Sequence, residues 1–328
     1  MRRDSHSEEG RAADSPRALL RTLLVGYKAA DLSAKLLEGD VTCHVLDIYH
    51  RHAIEKVWHA KCICSPHLPG GPWDLIRFRT GPKVMPGELS LDLLQEIHLL
   101  KPGKVEIDFV GRERERNDLV SKIKDDPGRV RSFRAEWPAS VPGGEKLLFA
   151  SYPGCFCHRR LDEGGLALAE VVSRELKTLR SPNPSTLQPL QLLDMGCGCG
   201  LVGLLVVKAL PKGATRLVMV DSHARAVEAA KENAERFGVE AETILSDDGT
   251  PARMDGTFDV FVGNPPYYSD YRIADVFLET AKRALRPGGV CYTVCKNAAG
   301  LEPVQRRYFP EVEVIPRRGY AVLKSVKA

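Results

Sequence analysis

The segment LQLLDMGCGCGLVGLLVVKAL, Leu190 to Leu210, constrains this chain more than any other stretch. Its first part is a short apolar run, the signature of a fully buried strand. Three glycines then punctuate the backbone, and the rest has the spacing of a helix. A strand that feeds a helix through a glycine turn is the opening unit of a parallel sheet covered on both faces. The pattern continues downstream. RLVMVDSH reads as a second strand ending in an acid, and ARAVEAAKENAERFG as an amphipathic helix stopped at Gly238. ETILSD and FDVFVG read as third and fourth strands, and IADVFLETAKRAL as a helix stopped by Arg-Pro-Gly-Gly. VCYTVCK reads as a fifth strand, and VEVIPRRGYAVLKSV as a closing strand pair.

A fainter version of this order runs through the first half. RTLLVGYKAADLSAKLLEGDVTCHVLD reads strand, turn, helix, strand, acid. Trp73-Asp-Leu-Ile stands 28 residues ahead of Lys101-Pro-Gly, and Phe258-Asp-Val-Phe stands 28 residues ahead of Arg286-Pro-Gly. The expectation is an α/β chain in which a Rossmann-like domain over 141–328 follows a duplicated, degenerate copy of itself over 20–140. The polar segment 1–19 is expected to be a disordered tail. The first copy has Gly26-Tyr-Lys-Ala-Ala-Asp where the second has its glycine turn, and Arg77-Phe-Arg-Thr where the second has Gly263-Asn-Pro-Pro. It keeps the scaffold and loses the site, which points to a partner-binding or stabilising role.

Composition narrows the class. The 328 residues are 43% hydrophobic and 27% charged, with a net charge of +4. That fits globular domains with real cores and lowers the prior for a non-specific nucleic-acid coater. No run is apolar enough to span a membrane, and the N-terminus lacks the features of a signal or transit peptide. Nine cysteines include three C-x-C pairs, Cys62/Cys64, Cys155/Cys157 and Cys197/Cys199. An odd count and two thiols within the glycine turn argue for a reducing cytoplasm rather than a disulfide framework. C-x-C is tighter than the usual zinc spacing, so Cys62-Ile-Cys64 reads as a strand with small thiols, and no metal is expected.

Gly198-x-Gly200-x-x-Gly203 satisfies a dinucleotide fingerprint, with Asp221 lying 18 residues beyond Gly203. Alone it admits a nicotinamide-dependent dehydrogenase. Asp194, two residues ahead of Gly196, changes the balance, because a carboxylate there repels a pyrophosphate and suits a cationic ligand such as the amino-acid end of S-adenosylmethionine. On that reading Gly196, Gly198 and Gly200 let the backbone approach the ligand. Asp221 accepts the ribose hydroxyls, and Asp247 accepts from the adenine amino group.

The fourth strand runs into Asn264-Pro265-Pro266-Tyr267-Tyr268. Prolines carry carbonyls but no N–H and stiffen the chain. An amine conjugated to a ring is a poor nucleophile, and acceptors that draw on its N–H groups help it towards tetrahedral nitrogen. The Asn264 side-chain oxygen and the Pro265 carbonyl suit that task, rigidly held, and Tyr267 suits stacking on a flat group. The acceptor is then adenine N6, guanine N2, cytosine N4 or an amide nitrogen.

With these residues the sequence resembles class I S-adenosylmethionine-dependent methyltransferases, and more narrowly the ribosomal RNA guanine-N2 methyltransferases of the small- and large-subunit types. Tyr152-Pro-Gly-Cys-Phe-Cys-His-Arg-Arg-Leu-Asp-Glu-Gly is similar to that family's L-P-G-V-F-S-x-x-x-L-D-x-G segment. The resemblance implies S-adenosylmethionine as cofactor, ribosomal RNA or a ribosomal subunit as partner, a single chain working in the cytoplasm, and no membrane. It gives Asp194, Gly196, Gly198, Gly200, Asp221, Asp247 and Asn264 to the cofactor. Asn264, Pro265, Pro266 and Tyr267 go to the base, and Phe156, Arg159, Tyr268 and Arg272 to the substrate path. Arg160, Arg306, Arg307, Arg317 and Arg318 are further candidates for phosphate contact. The family's loop ends in Phe-His where this chain has Tyr267-Tyr268. Asn-Pro-Pro-Tyr is commoner in adenine-N6 and protein-glutamine methyltransferases, which leaves those acceptors open. An inactive RNA-binding scaffold is the remaining reading.

Overall fold

The structure is a computed structural model that describes residues 19–124, 132–179, 188–266 and 271–328. The tail expected over 1–19 falls, but for Leu19, outside the described residues, and so do Tyr267 and Tyr268.

The first unit comprises β1 (Arg21–Val25), β2 (Asp40–Val45), α1 (Ile48–Trp58), β3 (Cys62–Cys64), β4 (Leu75–Thr80), α2 (Gly87–Leu100), β5 (Lys104–Phe109) and α3 (Glu113–Lys124). Its strands form a parallel sheet in the order β3-β2-β1-β4-β5. The period of two along β1 sorts its side chains between two cores. Leu23 and Val25 pack with Leu89, Leu93 and Ile97 of α2, while Leu24 packs with Ile54 of α1. The helix expected between β1 and β2 is instead two short 3₁₀ turns, Ala29–Asp31 and Ala34–Leu37. Side chains compete for the backbone there: Asp31 accepts from Lys28 N, and Ser33 accepts from Leu36 N.

The second unit begins with a hairpin, β6 (Ala135–Ser140) and β7 (Lys146–Ser151), and continues with α4 (Glu163–Leu179), β8 (Leu190–Met195), α5 (Leu201–Ala209), β9 (Thr215–Asp221) and α6 (Ala224–Arg236). Next come β10 (Ala241–Leu245), β11 (Phe258–Gly263), α7 (Arg272–Ala284), β12 (Leu285–Cys295), α8 (Ala298–Arg306), β13 (Glu313–Arg317) and β14 (Tyr320–Val326). The sheet order is β10-β9-β8-β11-β12-β14-β13. Only β14 runs against its neighbours, pairing antiparallel with both β12 and β13. The Pro-Gly-Gly expected to precede the fifth strand lies inside it, since β12 starts at Leu285 and the register with β11 shifts between Phe258 and Val260. The hairpin packs on the second sheet: Trp137 stacks on Phe149, with ring centroids 5.3 Å apart, in the same core as Leu192, Leu204 and Val260.

The first five strands of each sheet follow the same order, and all of them are parallel. In the second sheet, β8 is flanked by β9 and β11, with Met195 level with Val220 and with Gly263. The chain therefore leaves β8, β9 and β11 at one edge, where an open α/β sheet holds its ligand.

The units are joined through Arg225 on α6, a side chain 1% exposed. Its guanidinium donates to Asp92 and Glu96 of α2 and to the Pro66 carbonyl, all in the first unit. His67 adds contacts to Glu96 and Glu228, and Arg159 donates to Glu88 through Nε.

Candidate functional site

A cavity of about 870 Å³ opens at the shared strand edge. Its floor is the glycine turn. Gly196 and Gly198 have φ of +68° and +55°, which side chains on L residues resist. A Cβ on Gly196 would stand 2.5 Å from the ring of Phe277, whereas one on Gly198 would meet nothing within 4 Å. The turn is thus closed behind and open in front, which is the shape a backbone needs to lie against a ligand. Phe277 on α7 also abuts Gly263, where an added Cβ would come within 2.9 Å of its ring. One aromatic ring therefore seats both the glycine turn and the corner before Asn264.

Asp221 lines the cavity and accepts two backbone N–H groups, Gly198 N to Oδ2 and His223 N to Oδ1, each at 2.9 Å. Burial raises its pKa, and these donors oppose the rise. A carboxylate has room for further donors on the same oxygens. Asp247 also lines the cavity, and His52 Nδ1 of α1 approaches it at 3.1 Å.

Asp194 stands elsewhere. It is buried and outside the cavity lining, and it accepts from Gly203 N at 2.8 Å, within the first turn of α5. Burial drives its pKa up to about 7, against the pull of that N–H. Where the sequence points to a partner for a cationic ligand, the fold uses the carboxylate to fasten the strand to the helix behind the turn. Gly200 likewise stays outside the lining. Besides Asp221, Asp162 faces the cavity, a residue to which the sequence assigns no role.

Asp162 precedes α4, takes Gly164 N on Oδ1 at 3.1 Å, and receives Asn264 Nδ2 on Oδ2 at 2.7 Å. Burial raises its pKa, while the donors lower it. An ionised carboxylate only accepts, so the Asn264 nitrogen must face it and the Asn264 oxygen is turned away. Pro265 and Pro266 line the same cavity beside Asn264. Two clues to Asp162 were present: a charge just ahead of a helix is a capping signal, and Asp162 is the Asp of the Leu-Asp-Glu-Gly that closes the segment beginning at Tyr152.

Of the expected substrate residues, Phe156 and Arg272 line the cavity and are exposed. Arg159 does not, being committed to Glu88 across the unit boundary. Arg306 pairs with Glu302, Arg307 with Asp275, and Arg317 and Arg318 with Glu170. Those four charges are matched within the chain. The thiols Cys197 and Cys199 are buried in the turn, where burial pushes both well up, and Cys155 is pushed to about 12. They behave as small apolar groups.

Cavity volume, glycine floor and carboxylates at two strand ends fit a ligand with an adenosine half and a charged half. The strand order and this edge define a class I methyltransferase fold. The chain belongs to the methyltransferase small domain family, which matches residues 146–324. Among curated relatives, ribosomal RNA small subunit methyltransferase C of Haemophilus influenzae is 28% identical over 56% of this chain and 52% of its own. This chain thus spans about half the length of those relatives. The protein of the same name from Stutzerimonas stutzeri is 24% identical over 94% of this chain and 95% of its own. A Thermus-type structure, the T. thermophilus 16S rRNA N2 methyltransferase RsmC solved with AdoMet and guanosine, superposes with a TM-score of 0.74 at 18% identity. It covers 94% of this chain and 88% of the other, a likeness of fold across both units. Among the described residues no helix is long and apolar enough to cross a membrane.

Proposed function

We propose that this chain methylates an exocyclic amine of a base in ribosomal RNA, with S-adenosylmethionine as donor and guanine N2 of the small-subunit RNA as acceptor. The observation that carries the reading is the Asn264–Asp162 hydrogen bond, which fixes the Asn264 amide with its oxygen directed away from the carboxylate. The names of the relatives point the same way, and the T. thermophilus neighbour was solved with AdoMet and guanosine.

When bound, S-adenosylmethionine supplies a methyl group on a sulfonium sulfur, a carbon open to a nucleophile. The protein's part is to hold and aim. Asn264 Oδ1 and the Pro265 carbonyl accept the N–H groups of the target amine, and Pro266 keeps that corner stiff. Asp221 takes the ribose hydroxyls, Asp247 the adenine amino group, and Gly196 and Gly198 let the backbone lie against the ligand. Tyr267 is assigned to stacking on the base, and Tyr268 to the substrate path, from the sequence alone. Phe156 and Arg272 stand at the mouth, where the RNA enters. The boundary expected between 140 and 141 would part β6 from β7, two paired strands, so the second unit is taken to start ahead of Ala135. The first unit, β1 to α3, is read as a degenerate copy of the second. The matching strand order supports this, as does the absence from its sequence of a Gly-x-Gly turn and an Asn-Pro-Pro corner. The enzyme acts as a single chain in the cytoplasm.

The test is methyl transfer from labelled S-adenosylmethionine to small-subunit RNA and to assembled subunits from a strain lacking the gene, with nucleoside mass spectrometry. N2-methylguanosine is the expected product. Label on adenine would move the target base, and label on a release-factor glutamine with none on RNA would replace the reading.

A further inference from the structure

Residues of the first unit stand at the cavity of the second. Asp47 accepts from Ser222 Oγ at 3.0 Å, Ile48 N donates to Ser222 O at 2.9 Å, and Ala224 N donates to Leu46 O at 2.7 Å. These bonds dock the start of α1 just beyond Asp221. Five residues on, His52 Nδ1 meets both oxygens of Asp247, at 3.1 and 3.2 Å. Helix α1 therefore bridges from the end of β9 to the end of β10, the two ends whose acids line the cavity. Between its clamps stands Tyr49, which also lines the cavity and is 61% exposed. Its backbone N is held by Asp47 Oδ1 at 2.9 Å, so the residue is anchored while its ring has open space beside it.

We propose that α1 is one wall of the adenosine end of the cofactor site. Tyr49 lies against the purine, and His52 orients the Asp247 carboxylate towards the purine's amino group. The proposal rests on the reading of this cavity as an S-adenosylmethionine site. Its chemistry is ordinary: a purine is a flat π-surface, a tyrosine ring stacks on it, and a carboxylate whose two oxygens share one His52 nitrogen keeps lone pairs for another donor. The consequence for the fold is that the first unit contributes side chains to ligand binding, and the site is incomplete without it.

The experiment is calorimetric titration of the full chain with S-adenosylhomocysteine. Tyr49→Ala should weaken binding about tenfold, as loss of a base–aromatic stack does. Tyr49→Phe should bind as the wild type does, and His52→Ala should bind more weakly. Val57→Ser, an exposed change on the same helix away from the cavity, should leave affinity unchanged. The unliganded thermal midpoint of Tyr49→Ala should match the wild type; if it falls, Tyr49→Leu, which keeps apolar bulk but no π-face, carries the comparison. Wild-type affinity in Tyr49→Ala or Tyr49→Leu overturns the proposal. A wild-type chain that binds no S-adenosylhomocysteine strikes instead at the cofactor reading.

Discussion

Asn264 donates through Nδ2 to Asp162 Oδ2 at 2.7 Å, across 102 residues of sequence. The bond joins the corner after β11 to the residue ahead of α4. It decides which end of the Asn264 amide is available, because the carboxylate has no hydrogen to offer. The polarity of the cavity at that corner is thus set by a side chain from a different part of the fold.

We predict that Asp162→Asn lowers kcat on RNA while leaving S-adenosylhomocysteine affinity and the KM for RNA near their wild-type values. Asparagine still caps a helix, but two facing amides have no fixed polarity. A loss of roughly tenfold to a hundredfold is expected for a misaimed acceptor. An unchanged kcat would remove Asp162 from the positioning of Asn264.

On the proposed function, Asn264→Ala removes the acceptor itself. Turnover should fall on the order of a hundredfold or more, as for the loss of one aligned polar group at a reacting centre. Cofactor binding, read by calorimetry, should persist. Near-normal turnover would mean that the Pro265 carbonyl suffices.

Arg225→Ala should destabilise the whole chain. It leaves Asp92 and Glu96 facing one another with their common cation gone, in an environment where the arginine was 1% exposed. Breaking such a buried ionic cluster costs about 3–5 kcal/mol, and urea unfolding monitored separately in each unit should show both shifting together. If only one unit shifts, the joint is not cooperative.

Stability should also vary with pH, through two opposed contributions. Asp194 has its folded pKa raised to about 7, so the stability it lends is present below the ordinary carboxylate range and is lost as pH rises through about 7. His44 and His223 are held down to about 4 by burial, so their contribution is present above the usual histidine value and lost as pH falls towards 4. The two windows overlap with opposite signs, so thermal midpoints should rise between about pH 4 and 6.5, where two histidines outweigh one aspartate, and level off above about 7. Asp194→Asn should steepen that rise, and an unchanged slope would remove Asp194 from the balance.

The second sheet was legible because each strand carries its own signal. Buried parallel strands read as apolar runs, the glycine turn must be glycine for backbone reasons, and Gly238 stops α6. What the sequence hid follows from distance. Asp162 and Asn264 are local neighbours of nothing that advertises their pairing, and α1 meets the cavity only because the first unit docks there. Arg225 looks like one more polar residue on an amphipathic helix until Asp92 and Glu96 are folded around it. Asp194 shows the same effect of distance: it stands at the strand end, but its side chain is turned inward to Gly203 N, a contact that sequence does not reveal. The missing helix before β2 reflects local capture of N–H groups by Asp31 and Ser33, which apolar periodicity does not register.

The arginine at the joint has a bearing on synthesis. Ribosomes make the first unit before α6 exists, so a nascent chain carries the α2 acids Asp92 and Glu96 without their cation until residue 225 has emerged. Vectorial growth thus leaves an acidic notch waiting on the amino-terminal half, and a chain released early keeps it open, marked by the very charges that the guanidinium bridges in a finished molecule.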